Sequence, residues 1–251
     1  IAEHISGSVD GFIALMNTKA QQLGLDSTHV VNVHGLDDTP RAEGNHTTAR
    51  DLATVARALL CYPQILEWSS TRIRPFRNGE FTLYTTNRLL GRFRGLDGLK
   101  TGFTQRAGFN LVATARRQDM RLISVIMGGR SDRQRDRETS ELLSWGFNHF
   151  VKEPIAVAGE TIGSVPLDWG ITPEVSVILA DTVIAVLTPE QRRRVKRDIE
   201  LPVLHEAPVT EGDSIGVLQL SLDDHLLARV DLLAAASVAR MSLWEKLMSY
   251  F

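Results

Sequence analysis

One cysteine, Cys61, in 251 residues rules out an internal disulfide, so packing and hydrogen bonds must hold the fold. No apolar run approaches the ~20 residues that a membrane-spanning helix needs. Neither sign of charge dominates: 28 Lys and Arg stand against 30 Asp and Glu, a net charge of −2. That balance gives no general attraction to nucleic acid. The scattered histidines His4, His29, His34 and His46 form no H-E-x-x-H or Cys/His spacing, so no metal or cofactor is expected. No secretory signal pattern occurs, and Ile1 stands within what reads as a helix, so a fragment or a processed chain is expected.

What is present is the composition of a soluble globular protein, 43% hydrophobic and 23% charged, with length enough for two domains. Val9, Phe12, Ile13, Met16, Ala20 and Leu23 fall at helical spacing behind an N-cap at Ser8, with Gly24 as the stop. Val30 to Val33 is a short β-prone run, and residues 37 to 46 read as a surface loop. Thr48 and Asp51 open a helix through Leu60, with Leu52, Val55, Ala56 and Leu59 on one face and Pro63 as its end. Ile73 to Phe76 and Phe81 to Tyr84 flank Asn78-Gly79, a strong hairpin signal. A strand over Leu99 to Thr104 precedes a second hairpin, Asn110 to Ala115 and Arg121 to Met127, turning at Gln118-Asp119. A helix from Arg133 to Phe150, burying Leu142, Leu143, Gly146, Phe147 and Phe150, completes an α+β domain.

Beyond Val151 the style changes to short β-branched runs: Glu160 to Val165, Val175 to Leu179, Thr182 to Leu187, Ile215 to Leu220 and Leu226 to Val230. They predict a small all-β domain over 151–236, joined to the first domain, 1–150, at Lys152-Glu153-Pro154. The basic run Gln191 to Lys196 reads as a solvated strand or turn. In the final stretch, Ser237 to Phe251, Val238, Met241, Trp244, Leu247, Met248 and Phe251 repeat at helical spacing. Such a helix either lies in a membrane surface or docks on the protein's own core.

The residues best suited to chemistry are Lys100-Thr101-Gly102. The ammonium supplies a point charge, the hydroxyl can bond a substrate carboxylate, and the glycine admits close approach. The plain alternative for Lys100 is a surface lysine. Thr104 follows two residues past Gly102, and the backbone N–H of Phe103 is placed to serve an oxyanion hole. Of Arg130, Arg133, Arg135 and Arg137, one is suited to clamp a carboxylate while the rest form a solvated turn. His34 either anchors its loop or stands at a cleft rim. Asn45-His46-Thr47 fits a glycosylation sequon.

Several stretches occur in an order that resembles a known family: His34-Gly35-Leu36-Asp37, Thr48-Ala49-Arg50-Asp51, Asp97 through Gly102, Ala107 through Ala113, Met120 through Val125 and Leu143 through Phe147. Together they resemble the low-molecular-mass penicillin-binding proteins, serine-type D-alanyl-D-alanine carboxypeptidases, for which K-T-G is one signature. The resemblance covers essentially the whole chain. It implies a penicillin-binding/β-lactamase-like transpeptidase domain, a small all-β domain and a C-terminal amphipathic helix on the periplasmic face of the cytoplasmic membrane. It also implies a serine that attacks the bond between two D-alanines of a peptidoglycan stem peptide, with β-lactams as inhibitors. By matching position, Lys100 is the third-motif lysine, Thr101 binds the terminal carboxylate, Phe103 supplies the oxyanion N–H and Arg135 orients the carboxylate.

The chain departs from that pattern in having no S-x-x-K and no S-x-N; Ser6-Gly7-Ser8 falls later, in a turn between helices. The missing motifs are expected before Ile1, and the 251 residues alone are expected to be inactive and poorly soluble, with one sheet face left apolar. The alternatives are a non-catalytic, membrane-docked remnant or scaffold, or a DD-endopeptidase or β-lactamase of the same superfamily.

Overall fold

The computed structural model describes residues 1–37 and 44–248. The expected surface loop over 37 to 46 and the expected tail helix therefore fall partly outside the described residues. The chain divides into two compact units, Ile1–Asn148 and His149–Phe251.

In the first unit, α1 (Ala2–Ser6) turns through Gly7 into α2 (Val9–Gln22), and Ser6 to Ser8 form the turn between these helices. The Ser8 hydroxyl accepts from Gly11 N–H, satisfying one donor that the first helical turn leaves unpaired. Only Ala20 of α2 is fully buried, while Phe12, Ile13 and Met16 are half-covered. The β-branched run Val30 to Val33 forms no strand; His29 and His46 instead make an isolated bridge. The reason is local competition: the Asn45 carboxamide oxygen accepts from Val31 and Asn32 N–H, so side chains take ladder donors.

Helix α3 (Ala49–Leu59) starts at Thr48, whose hydroxyl accepts from Asp51 N–H at 3.1 Å. Pro63 does not merely end this helix. It opens another, α4 (Pro63–Ser69), at a first-turn position where no N–H is needed. Strands β1 (Ile73–Phe76) and β2 (Phe81–Tyr84) pair as expected, but with a 3₁₀ turn at Arg77–Gly79. Asn78, at φ 55°, takes the left-handed conformation that asparagine tolerates.

The central sheet is antiparallel, ordered β3 (Leu96–Thr104), β4 (Gly108–Arg117), β5 (Met120–Gly129). Its second hairpin turns at Gln118-Asp119, with Arg117 opposite Met120. Helix α5 (Asp132–His149) buries Leu143 against Leu111, Ala113 and Ala115. Leu142, expected on that face, is exposed. Arg135, Thr139, Leu143 and Gly146 make the buried stripe instead, since i, i+4, i+8 and i+11 share one side of a 3.6-residue helix.

Among the described residues the second unit is all-β apart from two short helices. Strands β6 (Val151–Ala156) and β9 (Val183–Leu187) form a ribbon. A six-stranded sheet runs β10 (Lys196–Glu200), β12 (Ser214–Leu222), β13 (His225–Ala234), β8 (Glu174–Leu179), β7 (Thr161–Asp168), β11 (His205–Glu206). Val165, Val177, Leu218, Leu220 and Leu232 are fully buried at its centre, as period-2 alternation requires. The basic run Gln191 to Lys196 is mostly helix, and only Lys196, at its end, enters strand β10. Thr188 and Gln191 form a reciprocal capping box, and Pro189–Arg194 is helix α6.

The tail is shorter as a helix than its periodicity predicts. Val238 is buried and bridges Val209, and Met241 N–H bonds Trp169 O at 2.6 Å, so both are tied to the β-rich unit outside any helix. Helix α7 (Leu243–Met248) begins only after Ser242, which exchanges hydrogen bonds with Glu245. Glu245 is held below the usual carboxylate range, first by Ser242 N–H and then by its hydroxyl. Ser249 and Phe251 lie outside the described residues.

Candidate active site

Strand β3 is fixed from both sides before it reaches Lys100. Asp97 pairs in two hydrogen bonds, each of 2.8 Å, with Arg121 on β5, and Arg121 also bonds the buried Thr114 hydroxyl at 2.9 Å. The Ser69 hydroxyl donates to Asp97 O at 2.9 Å, and buried Asn87 donates to Gly98 O. A side chain at Gly98 would meet Ser69 Oγ at 2.5 Å, so glycine is needed where α4 approaches β3. The next residues, Lys100 to Phe103, open onto a cavity of about 800 Å³.

That cavity brings together residues far apart in sequence. His34, Tyr84, Thr86, Arg88, Asp132 and Arg135 line it with Lys100, Thr101, Gly102 and Phe103. Lys100 is exposed, and its ammonium turns back to donate to Thr101 O. The Thr101 hydroxyl shares a 2.5 Å hydrogen bond with the Thr86 hydroxyl. A Cβ at Gly102 would meet nothing, so the backbone there faces open space. The Phe103 ring lies 4.2 Å from that of Phe109, centroid to centroid, and is half exposed.

Arg135, in the first turn of α5, is 4% exposed. Its Nε and Nη2 both donate to Asp136 Oδ1, at 2.9 and 2.6 Å. Of the arginines in this cluster, Arg135 is the one on the cavity wall; Arg137 instead pairs with Glu141 at 3.7 Å on an exposed face. Across the cavity, Arg88 pairs with Asp132. With Lys100, Arg88 and Arg135 against Asp132, the lining is net positive, which suits an anionic group.

His34 both lines the cavity and organises its loop, since its Nδ1 accepts from Leu36 N–H at 3.2 Å. Buried Asn32 accepts from Gly35 N–H and donates to Leu36 O, holding that turn from inside. The sequon residue Asn45 is bonded into the same loop through Asn32 Oδ1 at 3.0 Å. Thr104 is placed elsewhere. Its hydroxyl accepts from Ala107 N–H at 2.9 Å, and it lines a neighbouring cavity of about 540 Å³.

Sequence reasoning missed Tyr84, Thr86, Arg88 and Asp132, none of which carries a local signal of its own. A third, apolar cavity of about 330 Å³ lies between α3 and the sheet, lined by Leu52, Val55, Leu59, Leu99, Val112 and Ile126. Among the described residues no group of three or more His, Cys, Asp and Glu side chains converges, and no helix is long and apolar enough to cross a membrane.

Residues 1–131 match the family model for D-alanyl-D-alanine carboxypeptidase, and residues 150–240 match that for the penicillin-binding protein 5 C-terminal domain. The D-alanyl-D-alanine carboxypeptidase DacA of Escherichia coli is 32% identical over 254 residues, covering 100% of this chain and 61% of the relative. DacF of Bacillus subtilis is 32% identical over 233 residues, covering 91% of this chain and 59% of the relative. Thus the chain spans about three fifths of the length of these curated relatives. Among solved structures, penicillin binding protein 5 from Haemophilus influenzae superposes with a TM-score of 0.66 at 32% identity, over 95% of this chain and 69% of the other. Penicillin binding protein 6B from Escherichia coli gives 0.66 at 29% identity, over 93% and 63%.

Proposed function

The chain belongs to the D-alanyl-D-alanine carboxypeptidase family, and we propose that its cavity is the substrate-carboxylate side of a serine-type D-Ala-D-Ala carboxypeptidase site. One observation carries the reading: Lys100, Thr101, Gly102, Phe103, His34 and Arg135, spread over a hundred residues, line one net-positive cavity. In this reading the Thr101 hydroxyl, already paired with Thr86, binds the terminal carboxylate of a peptidoglycan stem peptide. Arg135 orients that carboxylate from behind, held in place by Asp136. The Phe103 N–H stabilises the oxyanion as the scissile carbonyl becomes tetrahedral. Lys100 supplies the positive charge beside the attacking serine; to do so its ammonium leaves Thr101 O.

The serine nucleophile itself lies outside these 251 residues, which contain no S-x-x-K. In this assignment residues 1–150 are part of the peptidase domain, 151–236 the β-rich domain and 237–251 a membrane-surface segment on the periplasmic face. Support for the last comes from α7, where Leu243 and Trp244 are 79% and 74% exposed and Leu247 and Met248 are also exposed, so this apolar face is not spent on the protein's own core. β-Lactams, as mimics of the dipeptide, are the expected inhibitors of the complete enzyme.

Two experiments test the reading. A fluorescent penicillin should label the chain covalently only when it is joined to a segment bearing S-x-x-K and S-x-N; an adduct on the 251 residues alone refutes the assignment of the nucleophile. Deleting 243–251, which leaves buried Val238 and its bridge to Val209 in place, should release the protein from vesicles without unfolding it, and unchanged sedimentation with vesicles refutes the surface segment.

A further inference from the structure

His29 and His46 lie 17 positions apart and close the base of the loop that carries His34, Gly35 and Leu36 to the cavity wall. Their backbones exchange both hydrogen bonds, His29 N–H to His46 O at 2.9 Å and His46 N–H to His29 O at 3.0 Å. A pair bonded in both directions projects its two side chains to the same face. The imidazole centroids are 5.7 Å apart and the rings tilted by 34°. Both residues are exposed. His46 Nδ1 lies 3.4 Å from Gly44 O. When that nitrogen carries the proton and donates to the carbonyl, the Nε2 lone pair is left for a ligand, as the outer partner of a ligating histidine arranges it.

We infer that His29 and His46 form a two-imidazole site for a borderline divalent cation of the copper, nickel or zinc class. With metal–nitrogen bonds of about 2.0–2.1 Å and an N–metal–N angle of about 90–110°, two imidazole centroids sharing a cation stand about 4.5–5.2 Å apart. The observed 5.7 Å is therefore closed by small side-chain rotations, with the backbone pairing unchanged. Water fills the remaining positions. Affinity should follow Cu²⁺ above Ni²⁺ and Zn²⁺, and the oxygen-seeking Mg²⁺ should be ignored. A cation held here ties the base of the loop whose residues His34 to Leu36 form part of the cavity wall. The site stands whether or not the proposed function is right.

Calorimetric titration of the full 251-residue chain with Ni²⁺, and separately with Mg²⁺, at pH 7.5 in a non-coordinating buffer tests it. One Ni²⁺ per chain and no Mg²⁺ heat are expected. His29→Ala and His46→Ala should each weaken Ni²⁺ binding at least ten-fold, while His34→Ala leaves it unchanged. Exposed side chains and backbone-only bridge bonds make these variants fold as the parent does. Lowering the pH to 5.5 should weaken binding, because protons compete with the cation for the imidazole nitrogens. Absent binding, binding that survives both His29→Ala and His46→Ala, or binding lost in His34→Ala overturns the inference.

Discussion

Removing the Asp97 carboxylate should loosen the strand that carries Lys100 and Thr101. Asp97 and Arg121 share two 2.8 Å hydrogen bonds, and their side chains are only 27% and 24% exposed. In Asp97→Ala the Arg121 guanidinium keeps its bond to Thr114 but loses its counter-charge. Hydrogen bonds to charged groups contribute about 1.5–3 kcal/mol, and partial exposure trims this, so a loss of about 2 kcal/mol is expected. For a unit of this size that corresponds to a melting shift of about 4–8 °C. Urea denaturation, with amide exchange at Leu111 and Ala113 reporting on the first unit, reads the loss. In an Arg121→Met background the same Asp97→Ala change should cost less than about 0.5 kcal/mol, because the charge it served is gone. Equal costs in both backgrounds would refute the argument that the pair, rather than the loop around Asp97, anchors β3.

Gly95 sits at φ 84°, and a Cβ there would lie 2.1 Å from Arg116 O, which no side-chain motion relieves; Gly95→Ala should cost at least about 3 kcal/mol by chemical denaturation, and a near-neutral result would contradict the backbone crossing. The buried Ser124 hydroxyl has no hydrogen-bond partner among the described residues, so Ser124→Ala should stabilise the protein by about 1 kcal/mol, visible as a higher denaturation midpoint at unchanged slope. Asp168 is held below the usual carboxylate range, first by its hydrogen bond to Lys246 on α7, at 2.6 Å. A depressed carboxylate contributes its stability in full above its unfolded value, near 3.9, and loses it as the pH falls further, so faster exchange of the α7 amides should set in below about pH 4 and be absent in Asp168→Asn, which exchanges fast throughout.

Much of the fold was legible because local rules and tertiary packing agree. Ser8 and Thr48 cap the helices they precede, and the turn at Gln118-Asp119 joins strands whose alternation matches their burial. Reading failed where one local signal had two outcomes. Proline at 63 both stops one helix and starts another, and β-branched Val30 and Val31 were outbid by asparagine side chains. The tail shows the limit of periodicity: Val238 and Met241 continue the helical spacing of Trp244 and Leu247, yet are tied to the β-rich unit outside any helix. Spacing reports which residues are apolar, not what covers them.

Around Lys100-Thr101-Gly102, the residue types by themselves determined the chemistry on offer: a cation, a hydroxyl and an open backbone in a row. Only the tertiary structure decided what shares their cavity. Tyr84, Thr86, Arg88 and Asp132 reach it because β2, the segment before β3, and the start of α5 converge there. Thr104, two residues past Gly102, is turned into a neighbouring cavity by its bond to Ala107. His29 and His46 meet for the same reason, across a backbone bridge that no spacing announces. Side-chain chemistry is a property of each residue and can be read along the chain; adjacency is set by long-range packing, which no short stretch encodes.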